Sequence, residues 1–143
     1  MKIAIGSDHG GFHLKQRLIP VIESLGHQVE NVGCYDDSSV DYPDYAELVS
    51  QKIIAKDAEL GILICGTGIG MSIAANRHYE IRAAVCHDEY TAEMSREHNN
   101  ANILCIGERV LDPELAEKIV KVYLATEFEQ GGRHQRRIDK FSR

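Results

Sequence analysis

The sequence predicts an α/β fold, a doubly wound three-layer sandwich around a five-stranded parallel sheet with an extra C-terminal helix. Two observations carry that reading. Five short runs rich in Ile, Val, Leu and Cys alternate with longer segments of helical period, the order that parallel strands with right-handed crossovers require. No repeat, low-complexity tract or linker breaks the pattern over 143 residues, which fits one domain spanning 1–143.

The strand candidates are Ile3–Gly6, Gln28–Val32, Leu60–Cys65, Arg82–Cys86 and Ile103–Ile106. Helical patterns run from Phe12 to Leu25, Tyr45 to Ala55, Ile69 to Asn76, Asp88 to His98 and Pro113 to Phe128. Gly26 after Leu25 is suited to a left-handed cap that ends the first helix. Asp112-Pro113-Glu114 opens the fifth with a capping side chain, a proline at the first turn and an acid beside the positive helix end. Pro20 falls inside the first pattern and is expected to kink that helix or delay its start. The strand order expected is 2-1-3-4-5, as in flavodoxin-like and Rossmann-like sheets.

Composition narrows the function. Sixteen basic against 22 acidic residues give a formal charge of −6, which argues against nucleic acid or an anionic membrane as the main partner. The charge is uneven, because Arg133, Arg136, Arg137, Lys140 and Arg143 crowd the end of the chain against Asp139 alone. A basic tail on an acidic body suggests contact with an anion or with a second copy. Four cysteines at 34, 65, 86 and 105 form no C-x-x-C pair, and three lie in strand candidates, as in a reduced intracellular chain. The apolar run at Met1-Lys2-Ile3-Ala4-Ile5 is too short for a signal peptide, and no stretch reaches membrane-spanning length. A cytoplasmic protein without cofactor or metal is expected.

In open α/β sheets ligands bind beyond the carboxyl ends of the strands, where the strand order reverses. Here that point falls between the first and third strands. Both run into unusual segments, Gly6-Ser7-Asp8-His9-Gly10-Gly11 and Cys65-Gly66-Thr67-Gly68-Ile69-Gly70. The second is a glycine loop entering a helix, able to hold a phosphate or an oxyanion, or to serve only as a tight turn. Cys65 faces the same helix start, where the thiolate is favoured, and suits a general base. Cys86 and Cys105 read as small buried hydrophobes. Asp8 and His9 can meet sugar hydroxyls and a phosphate, or Asp8 can merely cap the next helix. His98, in Glu97-His98-Asn99-Asn100, is a candidate proton donor or an ordinary helix-end residue. Arg133 and Arg137, four apart, share one helix face and can clamp a phosphate or lie in solvent.

Taken together these segments resemble the type B ribose-5-phosphate isomerases, in the wider family that includes galactose-6-phosphate isomerase subunits. The resemblance covers nearly the whole chain. It rests on Gly6–Phe12, Asp41-Tyr42-Pro43, Gly61–Gly70, Ile73–Asn76, His98-Asn99, Gly107–Val110 and Gly131–Arg137. It implies ring opening of ribose 5-phosphate by His98, with Asp8 engaging sugar hydroxyls, then proton transfer by Cys65 through an enediolate. Backbone amides of Gly66, Thr67, Gly68, Ile69 and Gly70 hold the developing oxyanion. The resemblance further implies that Thr67 and Asn99 orient the reacting oxygens, that Tyr42 lines the pocket, and that His9, Arg109, Arg133 and Arg137 bind phosphate. It implies a homodimer at minimum, or a tetramer, whose sites take His98, Arg109 and the arginine tail from the neighbour. One branch of the family replaces the cysteine by a glutamate just after the glycine loop. That position is Met71 here, so the cysteine route applies. Gly10 replaces a larger residue of some relatives, which bears on pocket shape. The competing substrates are hexose 6-phosphates such as allose or galactose 6-phosphate, and the competing class is a non-catalytic sugar-phosphate or nucleotide module.

Overall fold

A computed structural model describes residues 1–141; Ser142 and Arg143, the end of the predicted basic tail, lie outside the described residues. The strands are β1 (Lys2–Ser7), β2 (Gln28–Asn31), β3 (Leu60–Cys65), β4 (Ala83–Val85) and β5 (Ile103–Gly107). The helices are α1 (Phe12–Ser24), α2 (Tyr42–Ile54), α3 (Ile69–Ala75), α4 (Glu89–Glu97), α5 (Pro113–Ala125) and α6 (Gly132–Ile138).

All strand pairs are parallel, and side chains alternate between two cores. Ile3, Ile5, Ile62, Ile64, Leu104 and Ile106 face the layer formed by α1, α4 and α5, with Leu18, Ala92 and Ile119. Ala4, Leu63, Cys65, Ile103 and Cys105 face α2 and α3, with Val49 and Met71. Cys65 therefore points into the layer that holds the start of α3.

The expected order 2-1-3-4-5 is corrected at one end, since the observed order is β2-β1-β3-β5-β4. Burial explains the exchange. All five residues of β5 are buried, which suits an interior position, whereas β4 has three small residues that are partly or fully exposed. The bulkier Ile103-Leu104-Cys105-Ile106 belongs inside; the arginine-led Ala83-Ala84-Val85 belongs at the rim. Asn76 closes that rim, donating to the Ala83 carbonyl at 2.9 Å and accepting from its N–H at 2.8 Å. A side-chain amide thus imitates one rung of strand pairing on an otherwise open edge.

The helices differ from expectation at three places, one of them the end of α5, which stops at Ala125 and not at Phe128. α1 runs unbroken through Pro20 and starts at Phe12 without delay. Pro20 is exposed, as is Gln16, whose carbonyl has no N–H to accept from at Pro20. α2 begins at Tyr42, three residues before the predicted start, with Pro43 in its first turn and Asp44 beside it. Asp41-Tyr42-Pro43-Asp44 shares the early proline and the acid with the start of α5, but Asp41, unlike Asp112, makes no side-chain cap bond.

Candidate active site

The reversal of strand order lies between β1 and β3, so their following loops meet. Asp8 N–H donates to the Ile64 carbonyl at 3.2 Å. Gly11 passes so close to Ile64 that a side chain there would collide with its backbone. Gly68 adopts φ of 82° at the start of α3, and a Cβ on it would stand 3.0 Å from the Ile106 backbone. Positive φ and close approach together make glycine the only comfortable residue at that turn.

Cys65 ends β3 with 6% of its surface exposed. Its Sγ accepts a hydrogen bond from Gly68 N–H at 3.1 Å, so the loop's own amide is aimed at the sulfur. The other strand cysteines differ. Burial pushes the Cys86 and Cys105 thiols up, leaving both protonated at neutral pH as packing groups.

Around Cys65 the same chain gathers five further candidate side chains. Asp8 Oδ1 accepts from Gly10 N–H at 2.9 Å, capping the 3-10 turn at His9–Gly11. Its Oδ2 has no hydrogen bond among the described residues. His9 Nδ1 accepts from Val40 N–H at 3.1 Å. That bond places the proton of the neutral ring on Nε2, a donor free to meet an anion. The Tyr42 ring lies on Gly70, with Cε1 2.6 Å from where a Cβ would stand. Thr67 is exposed, and its Oγ1 accepts from Ile69 N–H at 3.2 Å. Arg109 lies across both loops. Its guanidinium is 3.0 Å from a Cβ built on Gly66 and 3.5 Å from one on Gly10. The expectation that Arg109 comes from a neighbouring copy is therefore replaced: its own chain holds it there through Arg109 N–H to the Gly66 carbonyl, 3.1 Å.

The remaining candidates form a second group elsewhere. His98 caps the C-terminus of α4, and its ring stacks on His134 of α6 at 4.0 Å between centroids. Asn99 follows it, and Arg133 and Arg137 project from α6 into solvent with no ion pair among the described residues. The turn after His98 is pinned by Arg82 Nε to the Asn100 carbonyl at 2.7 Å and Tyr123 OH to the Ala101 carbonyl at 3.1 Å. This group stands at the amino ends of the strands. Gly61 pairs with Ile103 at that end and Cys65 with Gly107 at the other, four residues and about 13 Å apart along the sheet. His98 cannot reach its own chain's Cys65. A cavity of about 400 Å³ opens at the amino end of β4, and Asn99 is the only candidate residue along its wall.

One residue outside the candidate set links the loops after β1 and β3. Glu108 sits in the loop after β5, where its backbone N–H donates to the Cys65 carbonyl at 3.0 Å. Its carboxylate accepts from Leu14 N–H at 2.5 Å, capping α1 from 94 residues away. α1 follows Asp8-His9-Gly10-Gly11 directly, so this carboxylate fastens one loop to the other. Only Gly107-Glu108-Arg109 as a motif hinted at it, because a cap from so distant a residue leaves no local signal. Glu108→Ala should lower stability by about 1–2 kcal/mol, the worth of a helix cap, and also reduce kcat/KM. Glu108→Gln should restore most of both. Thermal melting and steady-state kinetics on the two variants test this, and unchanged melting in Glu108→Ala would contradict it.

An open parallel sheet with a thiol, an imidazole and a guanidinium on the loops at its switch point is an arrangement of the α/β enzyme class. The chain belongs to the Ribose/Galactose Isomerase family, whose model matches residues 3–141. It is 52% identical to the putative sugar phosphate isomerase YwlF of Bacillus subtilis, over 99% of this chain and 95% of that one. It is 45% identical to ribose-5-phosphate isomerase B of Escherichia coli, over 96% and 92%. The ribose-5-phosphate isomerase B structure from Clostridium thermocellum superposes with a TM-score of 0.97 at 49% identity, covering 99% of this chain and 95% of that one.

Proposed function

We propose that this chain is an aldose–ketose isomerase interconverting ribose 5-phosphate and ribulose 5-phosphate. The reading is supported by family membership and by relatives named for that activity at 43–45% identity over nearly their full length. The observation that carries the mechanism is the separation of the candidates into two complementary groups at opposite ends of the sheet. In an isologous dimer each group of one copy meets the other group of its partner, giving two identical complete sites. Residues 1–143 then act as one catalytic domain, with the tail from about 131 reaching the second copy.

The first step opens the furanose: as the bond from C1 to the ring oxygen breaks, His98 of one copy gives a proton to the ring oxygen, and Asp8 of the other, which engages the sugar hydroxyls, accepts the proton that the anomeric hydroxyl loses. The Cys65 thiolate next removes the proton on C2 and returns it to C1, while a proton passes between the two oxygens. The amides of Gly66 to Gly70 hold the negative oxygen of the enediolate between those events. Each such donor is worth roughly 3–4 kcal/mol of barrier in a water-poor site. Thr67 and Asn99 orient the two oxygens, and Tyr42 closes the side of the pocket over Gly70. His9 and Arg109 from one copy, with Arg133 and Arg137 from the other, bind the phosphate. The chemistry needs no cofactor.

The cytoplasm is the assigned compartment, supported by four free, buried cysteines. No helix among the described residues is long and apolar enough to cross a membrane.

Purified protein assayed against ribose 5-phosphate, allose 6-phosphate and galactose 6-phosphate tests the substrate. Ribose 5-phosphate is expected to give the highest kcat/KM. A hexose phosphate turned over far more efficiently would contradict the pentose assignment.

A further inference from the structure

The stacked pair His98 and His134 has a third member, Glu129, and the ligand atoms of the three lie within 4.8 Å of one another. His134 is more than nine-tenths buried, its Nε2 has no hydrogen-bond partner, and that nitrogen stands 3.6 Å from Glu129 Oε2. A buried, unpartnered ring nitrogen beside a carboxylate is costly as it stands and gains from an added cation. We propose that His98, Glu129 and His134 form a site for zinc or a similar divalent ion, and that occupation of this site switches the enzyme off. Two imidazoles, one carboxylate and an open fourth position for water are a donor set that zinc accepts.

The geometry needs one movement. Zinc bonds near 2.0–2.1 Å place neighbouring ligand atoms roughly 3.3 Å apart, so the most distant pair of the triad must draw in by at most about 1.5 Å. Stacked rings 12° from parallel also aim their lone pairs side by side, so one ring must turn. His98 is the ring able to do so. It is one-third exposed at the helix end, and its nearest carboxylate neighbour is Glu97 Oε1 at 3.7 Å. Glu129 is exposed on the segment between α5 and α6, and its backbone N–H is tied to the Glu97 carbonyl at 3.0 Å. Glu97 and Glu129 offset the positive charge that Arg133 and Arg137 bring to the same helix end.

The consequence follows from the reading of His98 as the ring-opening acid, on which it rests. A metal on a ring nitrogen of His98 fixes the imidazole toward Glu129 and His134 and keeps it from delivering the proton. Bound zinc then removes the acid from the site without touching Cys65.

Isothermal titration of the full chain with zinc chloride alone, in chelator-free buffer, tests the site independently of activity. Wild type and Cys65→Ser should each bind about one zinc per chain, reversibly with EDTA. Glu129→Gln should bind at least roughly tenfold more weakly, the least that loss of even an outer partner costs. It should keep basal turnover while losing inhibition by zinc. Equal affinity in Glu129→Gln, no binding by wild type, or binding lost only in Cys65→Ser would overturn the site. Zinc bound at this triad with full turnover retained would instead overturn the inhibition, and with it the role of His98.

Discussion

Replacing Cys65 by alanine is expected to lower kcat by roughly 10²–10⁴-fold, the range that a positioned base contributes, while sugar phosphate still binds. The asymmetry follows from where the groups sit. The sulfur lies under the start of α3, whereas His9 and Arg109, the phosphate ligands proposed on that side, are held by Val40 and Gly66 and not by the thiol. Cysteine and alanine differ little in volume, so the loop should keep its fold. Steady-state kinetics paired with titration calorimetry separates turnover from binding. Normal turnover in Cys65→Ala would remove the proposed base outright.

The second large effect is expected at His98. His98→Asn should reduce kcat/KM for ribose 5-phosphate by a comparable roughly 10²–10⁴-fold. A further signature goes beyond the loss. Without an acid for the ring oxygen, the variant uses only the open-chain sugar that forms spontaneously in solution. At high enzyme concentration the rate should then level off at the rate of uncatalysed ring opening, and doubling the enzyme should change nothing. A purely structural role for His98 would lower the rate yet leave it proportional to enzyme. Proportionality retained at all concentrations would contradict the assignment.

Much of the arrangement was legible because two physical rules constrain it strongly. Apolar runs separated by helical patterns specify a parallel sheet, and the switch between β1 and β3 puts Asp8, His9 and the Cys65 loop together whichever way the far edge is ordered. That edge departs from chain order because the small, arginine-led residues of β4 suit a rim and the bulkier β5 the interior. Arg109 was expected from a second copy, yet its place is set by one backbone bond to Gly66, which spacing along the chain does not reveal. His134 and Glu108 lie inside the quoted motifs, yet nothing along the chain gives them a role, for the same reason. A ring stacked across two helices and a carboxylate capping a helix 94 residues away are products of tertiary packing. The basic tail, by contrast, announced itself through charge alone.

Mixing inactive variants bears most directly on the claim that each site takes Cys65 from one copy and His98 from the other. Cys65→Ala and His98→Asn proteins should each be nearly silent. After subunit exchange the mixture should recover about a quarter of wild-type activity, because half the dimers are hybrids and each hybrid rebuilds one of its two sites. No recovery, with hybrid dimers demonstrated by native mass spectrometry, would contradict the shared site.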